Sequence, residues 1–387
     1  MARGAARKLV LSGVLAVGSG AAPVRGRALK SWRVAVPADF VLWRDVCSYG
    51  YFLLEPNLWL PGSGGVRAAG VGGVFRRIVD LGAAGPARLE VTQPEGKGAD
   101  LSVVADTALY VAARHEATAQ LTRMLRLDEA PHNIAAFHSL DRRYKKSGRG
   151  RLFRSATFFE DVIKTVTNCN VTWLGTMSMN RRLCGAFGAG GAFPTPARLA
   201  AVRPAALRAQ CGVGYRDARI VQLAEMFESG AVDEAWFADL SQPDDVVRDA
   251  LIELPGIGPY AAANILQLLG RYGHVPLDTE SVRHGRTVLA MRGSSESIMK
   301  RVGKHFAGYG EQRFRSYWFE LWECYELLRG PAWTWEREKV GATFTAAGIK
   351  KAMAAKSGES GCKSEAVFKR KAAGGTARNR PARAASR

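Results

Sequence analysis

Apolar residues follow two different spacings along the chain, and the change from one to the other divides it into two predicted domains. Short apolar stretches between Pro/Gly clusters predict strands of an antiparallel sheet at 41–43, 51–54, 74–79, 88–91 and 101–104. Helical spacing predicts helices at 105–127 and 131–144, the second of which opens a helical domain. The pattern therefore predicts an α+β chain, with a strand-rich domain over 31–128 and a helical domain over 129–335.

The most informative part of the helical domain is a glycine-rich turn between two helices. Apolar spacing predicts a helix from about 243 to 253, and the following residues 254–258 read Leu-Pro-Gly-Ile-Gly. Gly256 and Gly258 have no Cβ, so the backbone N–H groups of the turn can approach a phosphate closely, with Ile257 packed between them. The turn is a predicted phosphate-binding site.

A single carboxylate follows this turn about twenty residues later. Asp278 ends the stretch Val-Pro-Leu-Asp, and a third predicted helix starts at Thr279. An aspartate in this place caps a helix. At a fixed distance from a phosphate-binding turn, the carboxylate can also act on the sugar that the bound phosphate carries. The two roles are compatible, and the residues alone favour the cap.

These segments resemble the helix-hairpin-helix (HhH-GPD) DNA glycosylases. Residues 254–266 are similar to the hairpin of that family, and 275–278 resemble the stretch that carries its essential aspartate. Residues 159–184 resemble the first helices of the glycosylase core, and 212–219 resemble the Gly-Tyr-Arg loop of the 3-methyladenine and 8-oxoguanine branches. The resemblance implies an N-terminal antiparallel β-sheet domain, an all-helical glycosylase core, and base excision repair of double-stranded DNA that contains damaged bases.

The resemblance also implies a role for each candidate site residue. Asp278 is the predicted catalytic residue, and Gly256, Ile257 and Gly258 are predicted to bind a DNA phosphate. The base pocket is predicted to contain Tyr260, Asn264 and Trp318, and the residues that fill the gap left by the flipped base are Asn170, Tyr215 and Arg216. Hairpins of the family commonly hold a monovalent cation through backbone carbonyls, and no other metal is expected.

Tyr260 decides the predicted subclass. In relatives that also nick the strand this position is a lysine, and no lysine lies between Arg248 and Lys300. An aromatic residue here suits a cationic alkylated purine, through stacking and cation–π attraction. A packed core tyrosine, an enzyme for oxidised purines and a non-catalytic DNA-binding protein remain alternatives. The six cysteines are scattered, so no iron–sulfur cluster is expected.

The net charge of +20 lies mostly in the two ends of the chain. Residues 1–38 contain seven Lys/Arg and no acid, and residues 350–387 contain eleven Lys/Arg and two acids. Residues 1–30 resemble an organellar transit peptide, and 336–387 read as a disordered basic tail that suits a nuclear address. We therefore expect a nuclear protein, with a mitochondrion or chloroplast as the alternative. We also expect a monomer with no membrane span.

Overall fold

The computed structural model describes residues 27–62 and 72–341. Most of the predicted transit peptide and nearly all of the predicted basic tail lie outside these residues. The described residues of these two segments include regular secondary structure. A strand begins at Leu29, and a short helix covers Arg337–Gly341. No helix of the described part is long and apolar enough to cross a lipid bilayer.

The described residues of the N-terminal part form one antiparallel sheet of five strands. The strands are β1 (Leu29–Val34), β2 (Asn57–Leu60), β3 (Val74–Asp80), β4 (Pro86–Thr92) and β5 (Leu101–Leu109). Their order across the sheet is β1-β5-β4-β3-β2. In β3 every second residue is buried, as expected for a sheet with one face on the core.

Fifteen helices accompany the sheet, so the described chain has the mixed α+β composition that the sequence predicts. Those of the N-terminal half are α1 (Leu42–Val46), α2 (Val111–Leu125), α3 (Pro131–Leu140), α4 (Phe158–Asn168), α5 (Trp173–Phe187), α6 (Pro196–Ala200) and α7 (Pro204–Cys211). The remainder are α8 (Asp217–Glu228), α9 (Glu234–Ala238), α10 (Asp244–Ile252), α11 (Pro259–Leu268), α12 (Thr279–Thr287), α13 (Ser295–Ala307), α14 (Arg313–Arg329) and α15 (Arg337–Gly341).

Several element predictions in the N-terminal part are wrong. The predicted strand at 41–43 lies at the start of helix α1, and the predicted strand at 51–54 is a 3-10 turn at Gly50–Leu53. The predicted helix at 105–127 starts only at Val111, because 105–109 belong to β5. Short apolar runs that are buried on all sides carry no periodicity, so their sequence does not separate a strand from a helical turn.

The buried apolar residues form two cores, and their division does not follow the predicted boundary at residue 128. One core joins the sheet and α2 to the C-terminal helices α12, α13 and α14. The other is built from helices α4 to α11. The chain crosses from the second core back to the first between Leu269 and Tyr272. Asp278 follows this crossing by six residues.

Candidate active site

The hairpin joins α10 to α11, and its two glycines serve different purposes. Gly256 has a φ of +81°, and a Cβ there would lie 2.9 Å from Cδ of Arg219. Gly258 has a φ of −102°, and a Cβ there would meet nothing within 4 Å. The fold therefore needs glycine at 256, whereas the absence of a side chain at 258 leaves open space beside the backbone.

The backbone amides of the hairpin also serve two different purposes. Ile257 is buried and donates its N–H to the carbonyl of Leu254 at 3.1 Å, which closes the turn. The first intrahelical bond of α11 runs from the N–H of Ala262 to the carbonyl of Gly258 at 2.9 Å. The amides of Gly258 and Tyr260 come before that bond, so they have no partner within the helix and suit an anion.

Asp278 caps the N-terminus of α12 with only one of its carboxylate oxygens. Oδ1 accepts the backbone N–H groups of Glu280 at 3.0 Å and Ser281 at 2.9 Å. The Ser281 hydroxyl in turn accepts the backbone N–H of Asp278 at 2.9 Å, which completes a capping box. Because the cap uses Oδ1, the other oxygen, Oδ2, is not engaged by the helix.

The environment of Asp278 raises its pKa to about 6. Burial is the largest cause, and the negative charge of Glu280 adds to it. The backbone N–H groups of the cap and the hydroxyl of Tyr260 act in the opposite direction. Asp278 is therefore a poorly solvated carboxylate that is still mostly ionised at neutral pH.

Tyr260, Asn264, Tyr49 and Trp318 form a connected group, which we call the pocket cluster. Burial and the charge of Asp278 raise the pKa of Tyr260, so its hydroxyl stays protonated. Asn264 donates its amide to the carbonyl of Tyr260 at 3.0 Å, and its Oδ1 accepts the hydroxyl of Tyr49 at 3.4 Å. The rings of Tyr49 and Trp318 are 4.6 Å apart.

Tyr49 is the member of the pocket cluster that sequence reasoning missed. It comes from the strand-rich part of the chain. The indole N–H of Trp318 donates a hydrogen bond to the carbonyl of the preceding residue, Ser48, at 2.8 Å. The residue that follows Tyr49, Gly50, lets the ring of Trp173 pack against the backbone, since a Cβ there would lie 3.0 Å from that ring. The segment reads only as an aromatic, apolar run, and nothing in it signals a contact with α11.

Two further groups border the pocket cluster. Tyr317 is buried, and the charge of Asp278 contributes to its raised pKa. Gln267 is fully buried on α11, one turn beyond Asn264, and neither atom of its side-chain amide has a hydrogen-bond partner. Tyr317 belongs to an aromatic-rich segment that also contains Trp318, whereas no sequence pattern marks Gln267, because its neighbours come from helices that are distant in the chain.

The fold and this site can be compared with those of known proteins. No protein-family model matches the sequence, and no curated protein matches it. Among solved structures, a 3-methyladenine DNA glycosylase from Archaeoglobus fulgidus has a TM-score of 0.54 at 18% identity, covering 76% of this chain and 98% of that one. The 8-oxoguanine glycosylase/lyase from Clostridium acetobutylicum, in its apo form, has a TM-score of 0.54 at 16% identity, covering 76% and 96%.

The chain has the helix-hairpin-helix DNA glycosylase fold. The Clostridium acetobutylicum protein in complex with double-stranded DNA containing cytosine opposite 8-oxoguanine also matches, with a TM-score of 0.51 at 16% identity over 71% of this chain and 92% of that one. Both glycosylase branches that the sequence resembles are thus represented among the structural neighbours. The fold alone does not select between their substrates.

Two of the predicted gap-filling residues are placed on the surface of this glycosylase fold. Asn170 is exposed in the loop before α5 and has a left-handed φ of +52°. Tyr215 is 53% exposed, with the guanidinium groups of Arg216 and Arg219 lying 4.5 Å and 5.3 Å from its ring centre. Both side chains are accessible to a duplex.

Arg216, the third predicted gap-filling residue, is bound to backbone carbonyls in this structure. It is buried, and its guanidinium donates to the carbonyls of Val166 at 3.2 Å, Val213 at 3.3 Å and Asn170 at 3.5 Å. A further bond goes to the carbonyl of Cys169. Arg216 therefore holds the loop that carries Asn170, and its donors are not directed at a base.

Within the described residues, no group of three or more His, Cys, Asp or Glu side chains is arranged to hold a metal ion. The polar groups of the pocket cluster are phenol, amide and indole groups, with Asp278 as the carboxylate beside them. The aromatic rings can stack on a planar base, and the polar groups can donate hydrogen bonds to its edge. The carboxylate of Asp278 can stabilise a cation next to it.

Proposed function

We propose that this protein is a monofunctional DNA glycosylase of base excision repair, which releases a damaged, alkylated purine from double-stranded DNA. The observation that carries the proposal is the desolvation of the Asp278 carboxylate, whose Oδ2 the helix cap leaves unused. This oxygen belongs to a poorly solvated carboxylate with a pKa of about 6, which lies next to Tyr260 and shortly after the hairpin. A carboxylate that served only as a helix cap would not need this desolvated position.

The chemistry follows from this arrangement. The free amides at the start of α11 bind a phosphate of the damaged strand, and the extruded base enters the pocket cluster while Asn170 and Tyr215 occupy the gap. As the bond between C1′ and the base nitrogen breaks, its electron pair leaves with the base. The negative charge of Asp278 stabilises the resulting oxocarbenium-like sugar. Water then adds to C1′ and loses a proton, leaving an abasic site.

The lack of strand nicking is proposed from Tyr260, which stands where an amine nucleophile would be needed. A phenol cannot form a Schiff base with C1′. Among the described residues, Lys164 is the buried lysine, and its amine is 2.7 Å from a carboxylate oxygen of Glu160. Glu160 also pairs with Arg77, so this lysine belongs to a buried ion network that ties α4 to the sheet. These contacts support a structural role for Lys164.

An alkylated purine is favoured by the aromatic character of the pocket cluster. The faces of Tyr260, Trp318 and Tyr49 are electron-rich, and a cationic base stacked on such faces gains about 1–2 kcal/mol relative to a neutral one. The second candidate substrate is an oxidised purine. It is supported by the polar groups of Asn264 and Gln267, which can hydrogen-bond the edge of a neutral base.

The proposal is tested by incubating the full-length protein with duplexes that contain 7-methylguanine, 1,N6-ethenoadenine, 8-oxoguanine or uracil. We expect release of an alkylated or etheno-modified base, with strand breaks only after alkaline treatment. Asp278→Asn keeps a residue that caps helices well, so it should bind duplex DNA normally and release no base. Strand nicking without alkali contradicts the monofunctional assignment, and base release by Asp278→Asn contradicts the catalytic one.

A further inference from the structure

A second carboxylate follows the proposed catalytic one by two residues, and two side chains hold it in place. Glu280 is in the first turn of α12, two residues after Asp278. Its Oε1 accepts a hydrogen bond from Nε of Arg283 at 2.7 Å and another from the hydroxyl of Tyr325 at 2.6 Å. The chemistry of an N-glycosidic bond needs only one carboxylate in the present arrangement, so this second one requires its own explanation.

The contacts of Glu280 join two helices. Arg283 is one turn further along α12, and it also approaches Glu280 through Nη2 at 2.5 Å. Tyr325 is on α14, where it is almost fully buried, and the guanidinium of Arg283 lies 5.7 Å from its ring centre. Glu280, Arg283 and Tyr325 therefore form a three-residue clamp, which we call the Glu280 clamp.

The electrostatic surroundings of the two carboxylates contain few other charges. Asp278 interacts with Glu280 on its own helix, with Tyr260 on α11 and with Tyr317 on α14. The groups that interact with Glu280, besides Asp278, are Arg283 on α12 and Tyr317, Cys324, Tyr325 and Arg329 on α14. Burial raises the pKa values of the phenols and of the thiol, so these groups are neutral. Within the described residues, the charged members of this set are therefore two acids and two arginines.

We infer that Arg283 and Tyr325 are positioning residues, which fix the Glu280 carboxylate near the N-terminus of α12 and so control its electrostatic effect on Asp278. This inference rests on the proposed function for its biological meaning, because Asp278 is the group whose charge the reaction uses. Glu280 repels the charge of Asp278, and Arg283 offsets part of that repulsion by pairing with Glu280.

The direction of each effect follows from Coulomb's law. Removing the charge of Glu280 makes Asp278 easier to ionise, so its titration midpoint moves to lower pH. Removing Arg283 leaves Glu280 uncompensated, so the midpoint moves to higher pH. Each shift should be on the order of half a pH unit, as expected for neighbouring charges in a partly solvated site.

The test is the pH dependence of binding to two abasic-site analogues in duplex DNA, measured with the full chain. One duplex contains a cationic pyrrolidine ring, which resembles the charged sugar, and the other contains neutral tetrahydrofuran. The wild-type preference for the cation should fade as the pH falls through about 6. Glu280→Gln should move this midpoint down, Arg283→Gln should move it up, and the double variant should lie between them.

Conservative variants and a matched control separate positioning from general stability. Arg283→Lys keeps the charge and should restore most of the wild-type midpoint. Tyr325→Phe removes only the hydroxyl donor to Glu280, and it should shift the midpoint upward by less than Arg283→Gln does. Arg286→Gln removes an exposed positive charge from the same helix and should leave the midpoint unchanged. Equal shifts for Arg283→Gln and Arg286→Gln would overturn the inference, as would shifts of the same sign for Glu280→Gln and Arg283→Gln.

A titration without DNA distinguishes failure of this inference from failure of the proposed function. The carboxyl carbon of Asp278, followed by NMR in labelled protein, reports its ionisation directly. If no duplex loses a base but the variants still move this titration in opposite directions, the Glu280 clamp is correct and the enzyme assignment fails. If a base is released and the titration does not move, the Glu280 clamp is wrong and the enzyme assignment stands.

Discussion

The hydroxyl of Tyr49 lies 3.4 Å from Oδ1 of Asn264, although the two residues are 215 positions apart in the chain. Tyr49 precedes the 3-10 turn at Gly50–Leu53, and Asn264 is on the second helix of the hairpin. This contact brings the strand-rich part of the chain into the pocket cluster. The N-terminal part is therefore a structural component of the site, rather than a separate appendage to the helical core.

Tyr49 should consequently affect both stability and excision. Tyr49→Ala removes a buried aromatic side chain, which should reduce the free energy of unfolding by about 3–5 kcal/mol. Tyr49→Phe keeps the ring and loses only the hydrogen bond, at a cost of about 1 kcal/mol. If the ring forms a wall of the base pocket, Tyr49→Phe should retain excision of alkylated purines. Urea unfolding and single-turnover base release measure the two effects.

The raised pKa of Asp278 predicts an acidic limit to activity. The reaction needs the ionised carboxylate, and the pKa of Asp278 is about 6, above its ordinary value of 3.8. Single-turnover base release should therefore fall about tenfold for each pH unit below 6 and level off above 7. A profile that stays flat down to pH 4 would show that the pKa of Asp278 is not raised in the active protein.

The same group makes a prediction about stability. A carboxyl whose folded pKa lies above its unfolded value stabilises the fold below pH 4, and this contribution is lost as the pH rises through 6. At neutral pH the desolvated charge of Asp278 is therefore unfavourable. Asp278→Asn keeps the cap and removes the charge, so it should raise the free energy of unfolding at pH 7 by about 1–2 kcal/mol. Denaturant unfolding at pH 7 and pH 4 checks the sign.

The geometry of the hairpin predicts different effects when its two glycines are replaced by alanine. One replacement should weaken DNA binding, and the other should reduce stability. Gly258→Ala places a methyl group in open space, so the free energy of unfolding should change by less than about 1 kcal/mol while duplex affinity falls. Gly256→Ala forces a Cβ onto a left-handed backbone next to Arg219, which should cost about 1–2 kcal/mol of stability. Fluorescence-based DNA binding and urea unfolding separate these results. A Gly258→Ala protein with full affinity would show that the phosphate is bound elsewhere.

The parts of the site that the sequence predicted are those whose chemistry is local. The hairpin turn and the cap at Asp278 depend on residues within a few positions of each other, so glycine and aspartate at those positions were sufficient evidence. Tyr49 and Gln267 were missed because their neighbours come from distant helices. The contacts of Arg216 were not foreseen either, since a sequence cannot show that four backbone carbonyls surround its guanidinium.

Substitutions at Tyr215 and Arg216 should separate two roles of this part of the protein, contact with DNA and support of the loop that carries Asn170. Tyr215→Ala removes an exposed ring, so stability should change by less than about 0.5 kcal/mol while binding to a duplex with an abasic site weakens. Arg216→Gln leaves buried carbonyls without donors, which should cost about 2–4 kcal/mol and increase hydrogen exchange at 169–171. If Arg216 instead contacted an unpaired base, its replacement would weaken binding without loosening the loop that carries Asn170.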